Sequence, residues 1–180
     1  FTDSANNSKT RTQAVRVHDT IAPVMACPAP IVVNASAPNG VAVPFSVTAT
    51  DNCSVKSLVS VPASGSNFSI GTTTVNSQAR DIALPTGNLS TCSFTVHVKG
   101  ASEQLQDLLI VVTGQGPGKS LASKVQDALN AVRTGNTAEA CSILNAFINE
   151  VKAQSGKKLT NAQASSLLTD AARIRAVLGC

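Results

Sequence analysis

The chain has no Trp and no Tyr, and its 180 residues include only five Phe and one Met. Platforms that stack sugars or unpaired bases are built from such rings, so the composition argues against both ligands. Charge is sparse as well: Asp, Glu, Lys and Arg make up 13% of the chain. The net charge of +4 comes from scattered cations, with only Lys157 and Lys158 adjacent. No basic stripe follows a phosphate backbone, and nucleic acid is not an expected partner. Long apolar runs are missing too. Nothing approaches the roughly 20 residues that cross a bilayer, so no membrane span is expected. The first residues, FTDSANNSKT, lack the charged and apolar regions of a signal peptide, and the expectation is a soluble chain whose export signal lay upstream. Also missing are CxxC pairs and histidines beside the five cysteines, Cys27, Cys53, Cys92, Cys141 and Cys180. That pattern favours disulfides over zinc, and with them an oxidising, extracellular compartment.

What is present falls into two halves. From Ile31 to about Val98 the chain runs in short β-branched stretches such as VAVPFSVTAT, VKSLVSV and CSFTVHV, separated by Pro, Gly, Asn and Ser. This spacing predicts an antiparallel β-sandwich. In the last stretch Phe94, Val96 and Val98 share one face, while Thr95 and His97 take the other. After Lys99 and Gly100 the pattern changes to Ala and Leu at helical spacing. Leu121, Val125, Ala128, Leu129 and Val132 form one stripe. Cys141, Leu144, Ile148 and Val151 form a second, and Ala164, Leu167, Leu168, Ala171, Ile174 and Leu178 a third. Asn136 with Glu139, and Thr160 with Gln163, have capping-box spacing, and Gly135, Gly156 and Gly179 stand where helices stop. With a first helix over residues 102–112, four helices are predicted. A short echo marks the beginning: Asn7 and the residues after it lie on Asn88 and the residues after it, matching Thr10 with Thr91, Val15 with Val96 and Val17 with Val98. Residues 1–18 therefore read as the last strand of a preceding repeat. The expected division is an N-terminal strand over 1–18, a sandwich over 19–99 and a four-helix domain over 100–180.

The run LLIVVTGQGPGKSL resembles a phosphate-binding loop, but the first glycine of GxxxxGK[ST] would fall on Thr113, and Gly114 comes one place late. Such a loop also joins a parallel strand to a helix, and the 60 residues after Ser120 are all helical in pattern. TGQGPGK reads as a connection between helices, with Pro117 near the start of the second.

The sandwich half carries DTIAPVMACPAP, TATDNC, SGSNFSIGTTTV and STCSFTVHV, and on these motifs it resembles the hyalin-repeat (HYR) domain over about residues 19–98. The resemblance implies an extracellular immunoglobulin-like fold without catalytic residues, and a bridge between Cys27 and Cys92. RDIALPTGN departs from the shorter turn usual in that family. The helical half, through SLASKVQDAL, ACSILNAFINEVKAQSGKKLT and the terminal LGC, is similar to the FIMAH-type domain of secreted bacterial proteins. Within it, Cys141 and Cys180 are the available partners. Cys53 is then left over, buried or intermolecular, although Cys27 with Cys53 is also geometrically reasonable. Relatives often have cysteines where this chain has Ser60 and Ser77.

Asp19, Asp51, Asn52, Asp81 and Asn88 offer oxygen atoms where loops meet, and calcium is the one cofactor they suggest, although ordinary Asx turns account for such residues. His18 and His97 end two strands with no third metal ligand nearby in sequence, and no nucleophile, base and orienting acid can be assembled with them. Five sequons, at Asn6, Asn34, Asn52, Asn67 and Asn88, allow glycans. The sequence thus predicts a two-domain protein, all-β then all-α, with an extra N-terminal strand. Its expected role is non-enzymatic, at the cell surface or secreted. Ala14, Val15 and Val17 are the residues expected to pair with a neighbouring copy by strand exchange, giving an oligomer or filament. The alternative is an accessory ligand-binding module of a larger secreted enzyme or adhesin.

Overall fold

The structure, a computed structural model, describes residues 4–15 and 17–180. Eight strands come first: β1 (Val24–Ala26), β2 (Ile31–Asn34), β3 (Val41–Ala42), β4 (Thr48–Thr50), β5 (Val55–Val61), β6 (Asn67–Phe68), β7 (Gly71–Asp81) and β8 (Leu89–Lys99). The larger sheet has the order β2-β8-β7-β5. Facing it are the pairs β1-β4 and β3-β6. Residues 41–50 form one line of chain broken at Pro44, which has no N–H to give. Before the break β3 pairs with β6, and after it β4 pairs with β1. At the break the Phe45 N–H donates to Ser64 Oγ (2.8 Å), and that hydroxyl donates back to the Phe45 carbonyl (2.7 Å).

One pairing departs from the antiparallel expectation. β2 runs parallel to β8, with Ile31 opposite Val96. The cause is a change of sheet: β1 belongs to the smaller layer, the chain crosses at Cys27-Pro28, and it joins β8 running in the same direction. The Cys27–Cys92 disulfide (S–S 2.06 Å) sits at that crossing. Inside, Val75 and Ala79 of β7 meet Phe94, Val96 and Val98 of β8, all buried. Phe45 stands edge-on to both Phe68 and Phe94, at centroid distances of 6.4 and 5.0 Å. Gly40, at φ +107°, is required where it is, since a Cβ there would lie 1.8 Å from the Phe68 carbonyl oxygen.

Four helices follow: α1 (Ala101–Val112), α2 (Ser120–Arg133), α3 (Thr137–Gln154) and α4 (Asn161–Leu178). Their core takes Leu105 and Leu108 from α1, Leu121, Val125 and Leu129 from α2, Leu144, Phe147 and Val151 from α3, and Leu167, Ala171 and Ile174 from α4. Asn136 Oδ1 accepts from the Glu139 N–H, and Thr160 and Gln163 cap each other reciprocally. Cys141 and Cys180 are bonded (S–S 2.08 Å), closing a loop of sequence separation 39. On the chain-entropy model a loop of that length stabilises by about 4 kcal/mol, a large part of what a small bundle has.

Only Gly100 separates β8 from α1. A Cβ on it would approach Ile70 Cγ2 to 2.9 Å, so the joint is as close as backbone and side chain permit. Around it, Lys99 Nζ meets Asp107 Oδ2 at 2.7 Å, and His97 Nε2 meets Glu103 Oε1 at 2.8 Å. Beneath lies Gln104, 2% exposed. Its Nε2 donates to the carbonyls of Lys99 (2.9 Å) and Ala35 (3.1 Å), and its Oε1 accepts from Arg173 Nε (2.9 Å). One side chain thereby ties the ends of β2 and β8 to α1 and α4.

Of the N-terminal segment expected as an extra strand, residues 1–3 and 16 lie outside the described residues. The rest joins none of the three sheets. Val15 is 76% and Val17 93% exposed. Ser8 makes a single bridge, Ala5 and Asn7 have partners, and Val15 and Val17 keep open surfaces.

Replacing Gln104 with Leu keeps the volume but removes the donors to two carbonyls and the acceptor of Arg173. The Lys99 carbonyl keeps the Ala35 N–H (3.0 Å), so the expected loss is about 1–3 kcal/mol for the Ala35 carbonyl left unpaired. Calorimetry should show a single melting transition separating into two; an unchanged single transition would mean that the joint does not rest on Gln104.

Candidate functional site

The polar residues expected to meet in loops do so at the end of the sandwich remote from the helices. Asp81 closes β7 and is fully buried. Its Oδ1 accepts from the N–H groups of Ala83 (2.9 Å) and Asn88 (2.7 Å), and its Oδ2 from Asn88 Nδ2 (2.8 Å). The Asn88 amide also reaches the carbonyls of Asp19 and Ile21, each at 3.2 Å. Asp19 Oδ1 accepts from the Ile21 N–H (3.0 Å) and Asn52 Nδ2 (3.4 Å). Asp51 Oδ1 accepts from the N–H groups of Cys53 (2.9 Å) and Ser54 (3.2 Å). These are Asx turns knotted together, with Asn88 as the shared donor.

The second oxygens of Asp19 and Asp51 are closed to solvent and receive no N–H or hydroxyl. Each residue of the trio Asp19, Asp51 and Cys53 offers a ligand atom within 4.8 Å of the others. A calcium ion takes roughly six to eight oxygens, and a thiol is a poor ligand for it. Zinc would accept the sulfur, but only as thiolate. The Asp19 carboxylate, which the Cys53 thiol faces, pushes the thiol pKa up. Asp19 itself is held below its ordinary value, first by the Ile21 N–H. Chemically the cluster is a turn lock with an exposed thiol at its rim.

Burial pushes the Asp81 carboxyl up, but the Ala83 and Asn88 N–H groups and the Asn88 amide together hold it below its ordinary value of 3.8. A group depressed in the folded state contributes stability above its ordinary pKa and loses it as pH falls through the depressed value.

Elsewhere the two histidines have different fates. His18 lies on the surface beside Val17, Leu84 and Pro85. His97 joins a chain that the sequence did not reveal: Thr72 Oγ1 is 2.8 Å from His97 Nδ1, and Glu103 Oε1 is 2.8 Å from His97 Nε2. This hydroxyl, imidazole and carboxylate have the order of a catalytic relay, yet they stand across an open sheet face, and Glu103 also accepts from the Gly100 N–H (3.3 Å). Their work is at the joint. The phosphate-loop resemblance also dissolves. Ser120 Oγ donates to Glu150 Oε2 (2.9 Å), which Lys124 Nζ meets at 2.8 Å. A phosphate there would face a carboxylate. No catalytic motif or active site is evident among the described residues.

Two surfaces flank β5, the edge strand. On the outer face Val59 and Val61, with Asn76, Gln78, Thr91 and Ser93, line a concavity of about 560 Å³. On the inner side the seam between the sheets opens into about 300 Å³ beside Phe45, Val47 and Leu58. Ser60 and Ser77 lie opposite one another across the ladder, their hydroxyls 2.8 Å apart. Among the sequons, the Asn52, Asn67 and Asn88 amides already serve as donors within turns.

Two measurements probe this end of the sandwich. Alkylation of Cys53 near pH 7 should be slower than that of an ordinary thiol and should accelerate in Asp19→Asn, because removing the carboxylate lowers the thiol pKa; equal rates would mean that the two groups do not meet. Asn88→Ala should lower the thermal midpoint most at neutral pH, with a gap that narrows below pH 3.8 as Asp81 becomes protonated in folded and unfolded chains alike. A pH-independent gap would exclude the Asn88 to Asp81 bond as its source.

Neither the curated proteins nor the solved structures give a match to the chain. Residues 18–98 match the HYR domain. The match begins beside the turn lock and ends one residue before the last of β8. It thus takes in the whole sandwich and stops short of the helices, so residues 18–98 of this chain are an HYR domain.

Proposed function

We propose that this protein is a non-enzymatic structural or adhesive component of an extracellular surface, and that it self-associates through the N-terminal segment. Two disulfides support an oxidising, extracellular setting. No helix among the described residues is long and apolar enough to cross a membrane. The similarity of the helical half to FIMAH-type domains supports a place in a secreted bacterial protein. The observation that carries self-association is the exposure of Val15 and Val17, 76% and 93%, on a segment that repeats the pattern of β8 but lies in no sheet. A β-forming segment left unpaired is satisfied by an edge.

A second reading, an accessory ligand-binding module, is favoured by the concavity over β5, β7 and β8, where Val59 and Val61 offer apolar contact and Asn76, Gln78, Thr91 and Ser93 offer hydrogen bonds.

Electron microscopy and sedimentation of the full chain beside a form lacking residues 1–18 separate the two. Assemblies that vanish with the truncation are the expected result. Monomers in both samples would remove the self-association reading and leave the ligand-binding module.

A further inference from the structure

Resting on the self-association reading, we infer that the acceptor for Val15 and Val17 is the free edge of β5 in a second copy, in parallel register with Val15 beside Val59 and Val17 beside Val61. The slot that a β8-like strand would fill is closed, because β8 itself occupies it between β2 and β7. An incoming strand can therefore only extend an edge; the strands of the facing pairs are two or three residues long, and the four-stranded sheet has two edges.

The β2 edge is four residues long and ends under the joint, where the Ala35 carbonyl accepts from Gln104. β5 is seven residues long and pairs only with β7. Its side chains are also prepared for a neighbour. Val59 is 48%, Val61 66% and Leu58 38% exposed. Alternate residues of an added strand point to opposite faces. In the stated register Val15 and Val17 cover Val59 and Val61 on the outer face, while Ala14, beside Leu58, turns towards the seam.

Charge sets the direction. β5 starts next to Asp51 and Asp19. With Val17 at the Val61 end, Lys9 and Arg11 fall at the acidic end, near Asp51. The reverse direction would set these cations against Val59 and Val61 and leave the valines beside Lys56.

The same geometry makes the occupant another copy. Asp19, the root of the segment, is tied to Asn52 (3.4 Å) just before β5 begins. Folded back on its own edge, a chain can bring Val17 only to the Val55 end. Val17 at the Val61 end must come from a neighbour.

The test is disulfide trapping in the full chain carrying Cys53→Ser, Val17→Cys and Val61→Cys. Adjacent strands place paired Cα atoms within the span a disulfide needs, roughly 4.4–6.8 Å. Val17 and Val61 are exposed and Val55 is half-buried, and an unchanged thermal midpoint relative to Cys53→Ser verifies folding of each variant. The expected result is a ladder of covalently linked chains on a non-reducing gel, absent when Val55→Cys replaces Val61→Cys. A bond within one chain, or a stronger ladder from the Val55 pair, overturns the proposal. Assembly that depends on residues 1–18 but yields no ladder from Val61→Cys removes this edge and leaves self-association standing. A full chain that sediments as a monomer and yields no ladder removes both.

Discussion

Two carbonyl oxygens, those of Ala35 and Lys99, emerge from the end of the sheet where β2 and β8 finish, and both would be covered by α1. The Lys99 carbonyl already accepts from the Ala35 N–H (3.0 Å), but a buried carbonyl without a donor costs on the order of 1–3 kcal/mol, so the helix must bring hydrogen to that of Ala35, and it can give the Lys99 oxygen a second one. The Gln104 amide does this with the two hydrogens of its Nε2, while Arg173, held at 2.7 Å by Asp170, satisfies its oxygen. A lysine at this position would bury a charge, and an apolar residue would leave the Ala35 carbonyl bare. Because the amide is planar and has partners on both sides, it fixes β2, β8, α1 and α4 together. The apolar core then runs without a gap from Val96 and Val98 through Ala101 to Leu105 and the other helices. An HYR domain and a helical bundle are in this way joined rigidly, with one glycine between them.

The elements were largely legible in the sequence because their signals are local. Alternation in CSFTVHV marks the buried face of β8, and capping residues Asn136 and Thr160 open α3 and α4 where their spacing places them. What escaped depends on register between distant segments. Gln104 reads as a surface residue on a helix, since the carbonyl it satisfies on Ala35 is 69 positions away. The contact of Thr72 with His97 exists only because β7 and β8 align those two residues. The parallel run of β2 follows from a change of sheet at Cys27-Pro28 that no alternation pattern encodes. Candidate site residues were legible singly, as Asx turns, but not their knot around Asn88. The N-terminal segment is the converse case: its pattern says strand, and pattern alone cannot supply an edge.

The ends of the sandwich are unequal, and this limits how the molecule can associate. β8 is eleven residues long, and at about 3.3 Å per residue it separates the two ends by roughly 36 Å. One end is covered by the helices through the Gln104 joint. The other carries the turn lock, in which Asp81 is committed to the N–H groups of Ala83 and Asn88 and to the Asn88 amide. The helices cover one end of the sandwich, and its strand edges run along the sides. Of the sides, the β2 edge is shortened by the same joint. β5 remains, guarded by a single lysine, Lys56, where protected edges usually carry several charges, a bulge or an inward-pointing ion. The bulge it has, between Val55 and Ser57, lies at the acidic end and leaves residues 58–61 regular. Burying Gln104 thus separates the two edges of the sheet: it ties the end of β2 to the helices and leaves β5 paired on one side alone among the described residues.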